Sequence, residues 1–249
     1  MPKIIFSDFD RTLFFKDEPS LTESNINAIN EWRKAGNRFC ITTGRSYESV
    51  TTAMPEIKTI CDFYILDGGS ITLDSQQNIL HINCFDSEIP PQIESQAAKL
   101  PFGCKLLYYT PEGVSLTHDQ PQITKARLWF KDEINFPLIH QTFADFPVQI
   151  FEWRGENRPD HPKFPEFDVF AEFVPLNSGK EKAIRTYADA HRLPLTDIIA
   201  IGDGDNDCEM IKQFNGYMIK DSTLDRLRTP LKTTPSLSAL IHQLLSTDK

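Results

Sequence analysis

Short apolar runs that end in polar or acidic residues alternate along the chain with segments whose apolar residues recur at helical spacing. The clearest runs, of three to five apolar residues, lie within residues 4–8, 39–43, 63–67, 198–203 and 217–219. Apolar runs without internal alternation favour strands that are covered on both faces, as in a parallel sheet. Strands that alternate with helices indicate βαβ units, so the sequence predicts an α/β fold with a doubly wound parallel sheet.

Two of the intervening helices begin with the spacing of a capping box. Residues 20–23 (Ser-Leu-Thr-Glu) and residues 178–181 (Ser-Gly-Lys-Glu) each precede an apolar stripe of helical period. In a capping box the serine hydroxyl and the glutamate carboxylate each accept a hydrogen bond from a backbone N–H group of the first turn. We therefore expect these helices to begin directly after Ser20 and Ser178.

The middle of the chain differs in composition from its two ends. Residues 84–176 contain 11 of the 18 phenylalanines, many prolines and strand-like segments such as 105–109 and 148–153. This segment has 14 acidic and 8 basic residues, a net charge of −6, against 21 and 18, a net of −3, in the remainder. The sequence predicts an α+β domain of residues 84–176 inserted into a core of residues 1–83 and 177–249.

Chemically active residues follow the predicted core strands. Ligands of open α/β sheets bind beyond the carboxyl ends of the strands, where these residues would meet. They are Asp8 and Asp10 after the first run, Thr43, Gly44 and Arg45 after the second, and Asp203, Asp205, Asn206 and Asp207 after the fourth. Lys180, at the start of a predicted helix, would face the same crevice.

Clustered carboxylates repel one another unless a cation lies between them. A hard divalent ion with oxygen ligands meets that need, and Mg²⁺ is the usual ion in phosphate chemistry. A metal ion, a lysine and a hydroxyl donor together form a site for a phosphoryl group and its transition-state charge. A carboxylate beside the metal can act as a nucleophile and form an aspartyl-phosphate.

Two other phosphate or metal motifs are excluded by single residues. Residues 203–207 match the start of an EF-hand loop, but Cys208 stands where that loop needs glycine and Phe214 where it needs glutamate. Gly179-Lys180 is not a P-loop, since Val174 replaces the first glycine and Glu181 the final hydroxyl residue.

Together these segments resemble the haloacid dehalogenase (HAD) superfamily of phosphohydrolases. Residues 8–13 (Asp-Phe-Asp-Arg-Thr-Leu) are similar to the family's first motif, Thr43 to the second, Lys180 to the third and residues 202–207 to the fourth. The insertion, preceded by residues 67–70 (Asp-Gly-Gly-Ser), resembles the Cof-type, subclass IIB branch. The resemblance implies a Rossmann-like core that carries the chemistry and a cap, over the active site, that selects the substrate.

The resemblance also implies roles for single residues. Asp8 is the expected nucleophile, and Asp10 is expected to protonate the leaving oxygen and then to take a proton from the hydrolytic water. Asn206 is expected to hold its loop in place. The expected phosphate-binding residues are Thr43, Gly44, Arg45, Lys180 and Asn206, and the expected Mg²⁺ ligands are Asp8, the backbone carbonyl of Asp10, Asp203 and Asp207.

One position departs from the family pattern, which usually has glycine where this chain has Arg11. If the backbone needs positive φ there, arginine carries strain of about 1 kcal/mol or more. Arg11 either points into the crevice toward an anionic substrate or lies in solvent. The sequence alone favours the solvent interpretation.

The leading hypothesis is a Mg²⁺-dependent phosphatase that acts on a small phosphorylated metabolite, with a sugar phosphate implied by the resemblance. A phosphomutase resembling phosphomannomutase is the first alternative, because it shares this core and cap type. A catalytically idle protein that binds a phosphorylated ligand is the second. A dehalogenase is disfavoured, because that branch does not need the second aspartate and the metal-binding acids.

Composition limits the partners and the compartment. The net charge of −9 disfavours a nucleic-acid partner, and no apolar run approaches the ~20 residues of a membrane span. Five cysteines without a CxxC pair favour free thiols in a reducing compartment, so we expect a cytoplasmic protein. We further expect a monomer or a homodimer. A polar-aromatic cluster in the cap either reaches a ligand or, as we favour, forms an exposed loop: Trp153, Arg154, Arg158, His161 and Lys163.

Overall fold

The chain divides into two compact units. A computed structural model describes residues 2–131, 135–154, 169–220 and 232–247, without the side chain of Arg154. One unit, the core, comprises Met1–His81 and Gly179–Lys249, and the other, the cap, comprises Ile82–Ser178. The boundaries expected from the sequence lie two residues away on each side, 83 against 81 and 177 against 179.

The secondary structure follows the alternation of the sequence. The strands are β1 Ile4–Ser7, β2 Arg38–Thr42, β3 Phe63–Leu66, β4 Ile71–Asp74, β5 Ile79–Ile82, β6 Cys104–Thr110, β7 Gly113–Ser115, β8 Lys125–Phe130, β9 Val148–Arg154, β10 Val169–Pro175, β11 Ile198–Gly202, β12 Tyr217–Ile219 and β13 Lys232–Thr234. The helices are α1 Pro19–Lys34, α2 Tyr47–Ala53, α3 Ile57–Ile60, α4 Ile89–Ala97, α5 Phe136–Thr142, α6 Lys180–His191, α7 Cys208–Gln213 and α8 Leu237–Thr247. Short 3-10 helices cover Asp67–Gly69, Leu195–Asp197 and Asp205–Asp207.

The core contains a sheet in the order β13-β12-β11-β1-β2-β3-β4-β5. The strands from β13 to β3 pair in parallel, whereas β4 runs antiparallel to β3. After β3 the chain forms β4, β5 and the cap before it returns to the core sheet as β11. Because β11 pairs with β1 on the side opposite β2, the sheet is doubly wound. The predicted fold class is confirmed, with β4 as an antiparallel addition.

Helices cover the core sheet and anchor its loops. α6 and α7 pack on the face that carries Phe6 and Ala200, and α1 packs against α8. The buried Asn25 links three segments: its amide group donates to the carbonyls of Thr12 and Leu13 at 3.2 and 3.0 Å, and its oxygen accepts the N–H of Ser238 at 3.0 Å. The loop after β1 is thereby tied to both helices.

The two predicted capping boxes are wrong. α1 starts at Pro19 and α6 at Lys180, and neither Glu18 nor Gly179, their N-cap residues, makes a side-chain capping bond. The N–H groups of a helix's first turn have no acceptor within the helix, so proline, which has no N–H, fits there without losing a hydrogen bond. Ser236, in contrast, caps α8, since its hydroxyl accepts the N–H of Ala239 at 3.1 Å.

The cap is an antiparallel sheet in the order β7-β6-β8-β10-β9, with α4 and α5 packed on one face. The other face carries an aromatic cluster, the buried Lys125 and Glu172, and the partly buried Arg127. Glu172 lies 2.6 Å from Arg127 Nε and 3.7 Å from Lys125 Nζ.

Of the polar-aromatic cluster expected in the cap, Arg158, His161 and Lys163 lie outside the described residues. Trp153 is 37% exposed on β9 and stacks on Phe170 with 5.9 Å between ring centroids. Among the helices of the described residues, none combines the length and the hydropathy of a membrane-spanning segment.

Candidate active site

Three neighbouring parallel strands end at the candidate site. In the order β11-β1-β2, these strands lead into Asp203, Asp8 and Thr43. Because the strands are parallel, their carboxyl ends meet at one edge of the sheet. The structure thus brings together residues that stand almost two hundred positions apart.

The loop after β1 is stabilised by backbone hydrogen bonds. Asp8 is buried, and its N–H extends the strand pairing to the carbonyl of Ile201 at 2.8 Å. The carbonyl of Phe9 accepts the N–H groups of Leu13 and Phe14, and the carbonyl of Phe14 accepts the N–H of Arg11 at 2.8 Å. This compact turn fixes the backbone on both sides of Asp10.

Lys180 bridges two of the acidic residues. Its Nζ lies 2.6 Å from Oδ1 of Asp8 and 2.6 Å from Oδ1 of Asp207, and all three side chains are buried. Burial alone would lower the pKa of Lys180, but Asp207 and Asp8 raise it above its ordinary value. The lysine therefore stays charged and can bind a phosphoryl oxygen.

The position of Lys180 depends on a close backbone contact. At Gly69, whose φ is +98°, a Cβ would lie 2.3 Å from the carbonyl oxygen of Gly179. Only glycine fits such an approach. The Asp-Gly-Gly-Ser stretch singled out in the sequence therefore packs directly against the residue that precedes α6.

Asp207 holds the loop after β11. Its Oδ2 accepts the N–H groups of Asp203 at 3.1 Å and Gly204 at 2.9 Å. The sequence assigned this task to Asn206, which is wrong: Asn206 is exposed, and its neighbour Asp207 is buried. A carboxylate can accept two N–H bonds at once, and an i+3 or i+4 spacing turns it back onto its own loop.

The buried carboxylates fit a divalent cation. Asp8, Asp203 and Asp207 each present an oxygen within 4.8 Å of the others'. Burial raises the pKa of Asp8, and burial together with the charge of Asp207 raises the pKa of Asp203 to about 6. A hard cation with oxygen ligands would offset this repulsion, and Mg²⁺ or Mn²⁺ has that preference. The role of the Asp10 carbonyl as a ligand stays a prediction.

Asp10 is oriented by Arg45. The guanidinium donates from Nε to Oδ2 at 2.7 Å and from Nη2 to Oδ1 at 2.6 Å, while Nη1 donates to the Ser49 hydroxyl at 3.2 Å. The Arg45 guanidinium carbon also lies 5.2 Å from the ring centre of Phe9. Sequence reasoning placed both residues at the crevice but missed this pair, because Arg45 was expected to bind phosphate.

Thr43 presents a hydroxyl at the end of β2. The residue is buried, its N–H donates to the carbonyl of Ile65 at 2.9 Å, and its Oγ1 accepts the N–H of Arg45 at 3.1 Å. The hydroxyl hydrogen can then bind an incoming oxyanion. Gly44 lies half-buried in the turn between Thr43 and Arg45.

Arg11 has a second contact that the sequence did not reveal. Its Nε lies 3.5 Å from Oδ2 of Asp203, and its side chain is 52% exposed. Thr12 donates to the other oxygen of Asp203 at 3.4 Å. Arg11 is therefore exposed to solvent, as the sequence favoured, and its guanidinium also forms an ion pair with a site residue.

Buried carboxylates, a bridging lysine and a strand-end hydroxyl at the edge of a doubly wound sheet define a hydrolytic enzyme of the phosphoryl-transfer type. The chain belongs to the haloacid dehalogenase-like hydrolase family, whose model matches residues 5–151 and 164–227. This membership confirms the resemblance read from the motifs.

Named relatives and solved structures agree with the family. The chain is 23% identical to the HMP-PP phosphatase of Yersinia pseudotuberculosis, over 93% of this chain and 88% of that protein. It is 20% identical to the 5-amino-6-(5-phospho-D-ribitylamino)uracil phosphatase YitU of Bacillus subtilis, over 85% and 83%. The structure of the HAD subclass IIB sugar phosphatase BT4131 superimposes with a TM-score of 0.77 at 15% identity, over 99% of both chains. The predicted enzyme class, a HAD-like phosphoric monoester hydrolase, is confirmed.

Proposed function

We propose that this protein is a Mg²⁺-dependent phosphatase of a small phosphorylated metabolite that works through an aspartyl-phosphate on Asp8. The observation that carries the proposal is the buried contact of Asp8 with Lys180, beside Asp203 and Asp207. A carboxylate at a strand end, beside a charged lysine and a candidate cation site, is placed to attack phosphorus. When bound, the cation offsets the charge of the carboxylates and polarises the phosphoryl oxygens.

The first step transfers the phosphoryl group to the protein. A carboxylate oxygen of Asp8 forms a bond to phosphorus while the bond between phosphorus and the ester oxygen breaks. Asp10, oriented by Arg45, must enter this step in its protonated form, and it gives that proton to the departing oxygen. Lys180 and Thr43 bind the equatorial oxygens, where charge develops in the transition state.

The second step releases inorganic phosphate. A water oxygen bonds to phosphorus and the bond between phosphorus and Asp8 breaks, so Asp8 returns as a carboxylate. Asp10 takes the proton of the attacking water and is ready for the next cycle. Lys180 stabilises Asp8 in the resting state and the phosphoryl oxygens during both steps.

For the substrate, we propose a sugar phosphate. Support comes from the solved relative described as a sugar phosphatase, and YitU acts on a compound with a phosphoribityl chain, as its name states. The identities of 15% and 20% are too low to fix one compound.

The absence of a nucleic-acid partner and a monomeric or homodimeric state remain part of the proposal. A cytoplasmic location does too, and it is supported by the five free cysteines.

A panel of sugar phosphates, nucleotides and cofactor phosphates, assayed with Mg²⁺ for released phosphate, tests the proposal. Turnover of at least one ester, lost in Asp8→Asn, is the expected result. Binding without turnover across the panel would favour the idle phospho-ligand-binding alternative. Isomerised rather than dephosphorylated hexose phosphate would favour the phosphomutase.

A further inference from the structure

Arg11 occupies a backbone conformation that arginine rarely adopts. Its φ is +58°, in the left-handed region where glycine is unstrained. The turn does not need the side chain, because the N–H of Arg11 bonds to Phe14 and Asn25 binds the carbonyls of Thr12 and Leu13. What arginine adds at this position is its guanidinium group.

Of the three cationic side chains at the site, Arg11 makes the fewest contacts. Lys180 is buried between two carboxylates, and three nitrogens of Arg45 donate hydrogen bonds to Asp10 and Ser49. Among the described residues, the guanidinium of Arg11 forms one ion pair, with Asp203 at 3.5 Å, and donates no hydrogen bond. Because Arg11 is half exposed and only its Nε lies near the buried Asp203, its terminal nitrogens remain available to an incoming anion.

Lys180, Arg45 and Arg11 differ in solvent exposure, and the exposure indicates which part of a substrate each side chain can reach. The side chain of Lys180 is 2% exposed and that of Arg45 23%, whereas that of Arg11 is 52% exposed. The transferred phosphoryl group must reach the buried Asp8 and therefore meets the buried lysine. The rest of the substrate extends outward, past the half-exposed Arg11, whose planar fork binds carboxylates and phosphates with two hydrogen bonds.

We propose that Arg11 determines specificity by binding a second anionic group of the substrate, a carboxylate or a phosphate other than the one transferred. The proposal rests on the phosphatase function proposed above and narrows its substrate class. It predicts that substrates with such a group are preferred over otherwise similar neutral-tailed esters.

Matched substrate pairs test the proposal. Glycerol phosphate and phosphoglycerate differ by a carboxylate, and a hexose monophosphate and its bisphosphate differ by a phosphate. The ratio of kcat/KM within each pair should fall about 10–100-fold in Arg11→Gly and Arg11→Gln, as for one lost charge-assisted hydrogen bond. The loss should appear mainly in KM, and Arg11→Lys should restore part of the ratio.

Arg192→Gly is the matched control. Arg192 is also exposed and left-handed, with φ +51°, but it ends α6 rather than lying at the site. Its variant should keep the wild-type ratio in both pairs. A second readout is calorimetric binding of phosphoglycerate and glycerol phosphate to Asp8→Asn, with and without Arg11→Gly, which needs no turnover.

The outcomes separate this proposal from the phosphatase function. Equal loss on both members of each pair would overturn it, since Arg11 would then act only through Asp203. An unchanged ratio would overturn it as well. If wild type hydrolysed none of the esters but bound phosphoglycerate through Arg11, the phosphatase function would fail while the anion site stood. If the kcat/KM ratio fell in Arg11→Gly for only one of the two pairs, that pair would identify the second anionic group as a carboxylate or as a phosphate.

Discussion

Arg45 binds both carboxylate oxygens of Asp10, at 2.6 and 2.7 Å, so the proposed acid and base is held in one orientation. Arginine can do this because its planar fork matches a carboxylate, whereas lysine offers a point charge. The same guanidinium is anchored by Ser49. Arg45 is therefore a positioning residue in our interpretation, in addition to its expected place near the phosphate.

Arg45→Lys should lower kcat with little change in KM. The charge remains, but Asp10 loses its fixed orientation, and a displacement of about 1 Å can cost about 100-fold in rate. We expect a loss of about 10–100-fold, measured by steady-state kinetics on the best ester. Ser49→Ala, which removes only the outer contact, is the control and should change kcat less than threefold or so. A rise in KM alone would assign Arg45 to phosphate binding instead.

Asp8→Asn should abolish turnover and leave the fold intact. An amide is a far weaker nucleophile than a carboxylate, and losing the covalent route costs orders of magnitude in rate. Phosphate release and circular dichroism measure the two properties. Asp205→Asn, at an exposed position of the same acidic loop, should stay active. Residual activity of Asp8→Asn within about tenfold of wild type would contradict the assignment.

Chelation should remove activity, and Mg²⁺ should restore it. Asp8, Asp203 and Asp207 repel a phosphate dianion unless a cation lies between them. Mn²⁺ is expected to substitute, because it also accepts octahedral oxygen ligands. Mg²⁺ should also raise the unfolding temperature of wild type, since binding to the native state alone stabilises it by about 2.7 kcal/mol at a hundredfold excess over Kd. Asp203→Asn should lose this thermal shift, and full activity in excess chelator would rule out the mechanism.

The sequence predicted the strands and the residues at their ends because both follow from local pattern. Asp8, Thr43 and Asp203 end apolar runs, and a parallel sheet places such ends together. The pairing of Asp10 with Arg45 could not be predicted, because it depends on where two loops meet across 35 positions of sequence. The local sequence pattern also gave the wrong first residues for α1 and α6, which begin at Pro19 and Lys180.

The same limit explains the error at the fourth motif. Asn206 and Asp207 are adjacent and both can accept backbone hydrogen bonds. Which one turns inward depends on the 3-10 turn of Asp205–Asp207, whose geometry buries Asp207. At Gly202 a Cβ would lie 2.4 Å from Cγ of Asp207, so the inward carboxylate needs glycine there. That glycine is the signal in the sequence that identifies Asp207.

The buried Glu172 of the cap makes stability depend on pH. Burial alone would raise its pKa, but Lys125 and Arg127 hold the pKa below the ordinary value of 4.5. The stability from this depressed pKa is fully present above pH 4.5 and is lost as the pH falls through the folded-state value. Glu172→Gln should therefore destabilise the protein at pH 7 by about 3 kcal/mol, and the difference from wild type should shrink as the pH falls below 4.5. Urea unfolding across this range measures it, and a difference that did not vary with pH would contradict the linkage.

Trp153 should influence which substrate is accepted more than how fast a generic ester reacts. It lies 37% exposed on the cap face opposite α4 and α5, stacked on Phe170, and every proposed catalytic residue lies in the other unit. A half-exposed indole can pack on a ligand with a stacking energy of about 0.5–1.5 kcal/mol. In Trp153→Ala, kcat/KM for the best metabolite should fall about 2–12-fold, with p-nitrophenyl phosphate less affected. Leu116→Ala, at another exposed apolar position of the cap, is the control and should preserve the ranking of substrates. An equal loss on every substrate would mean that Trp153 supports the cap fold and does not contact the ligand.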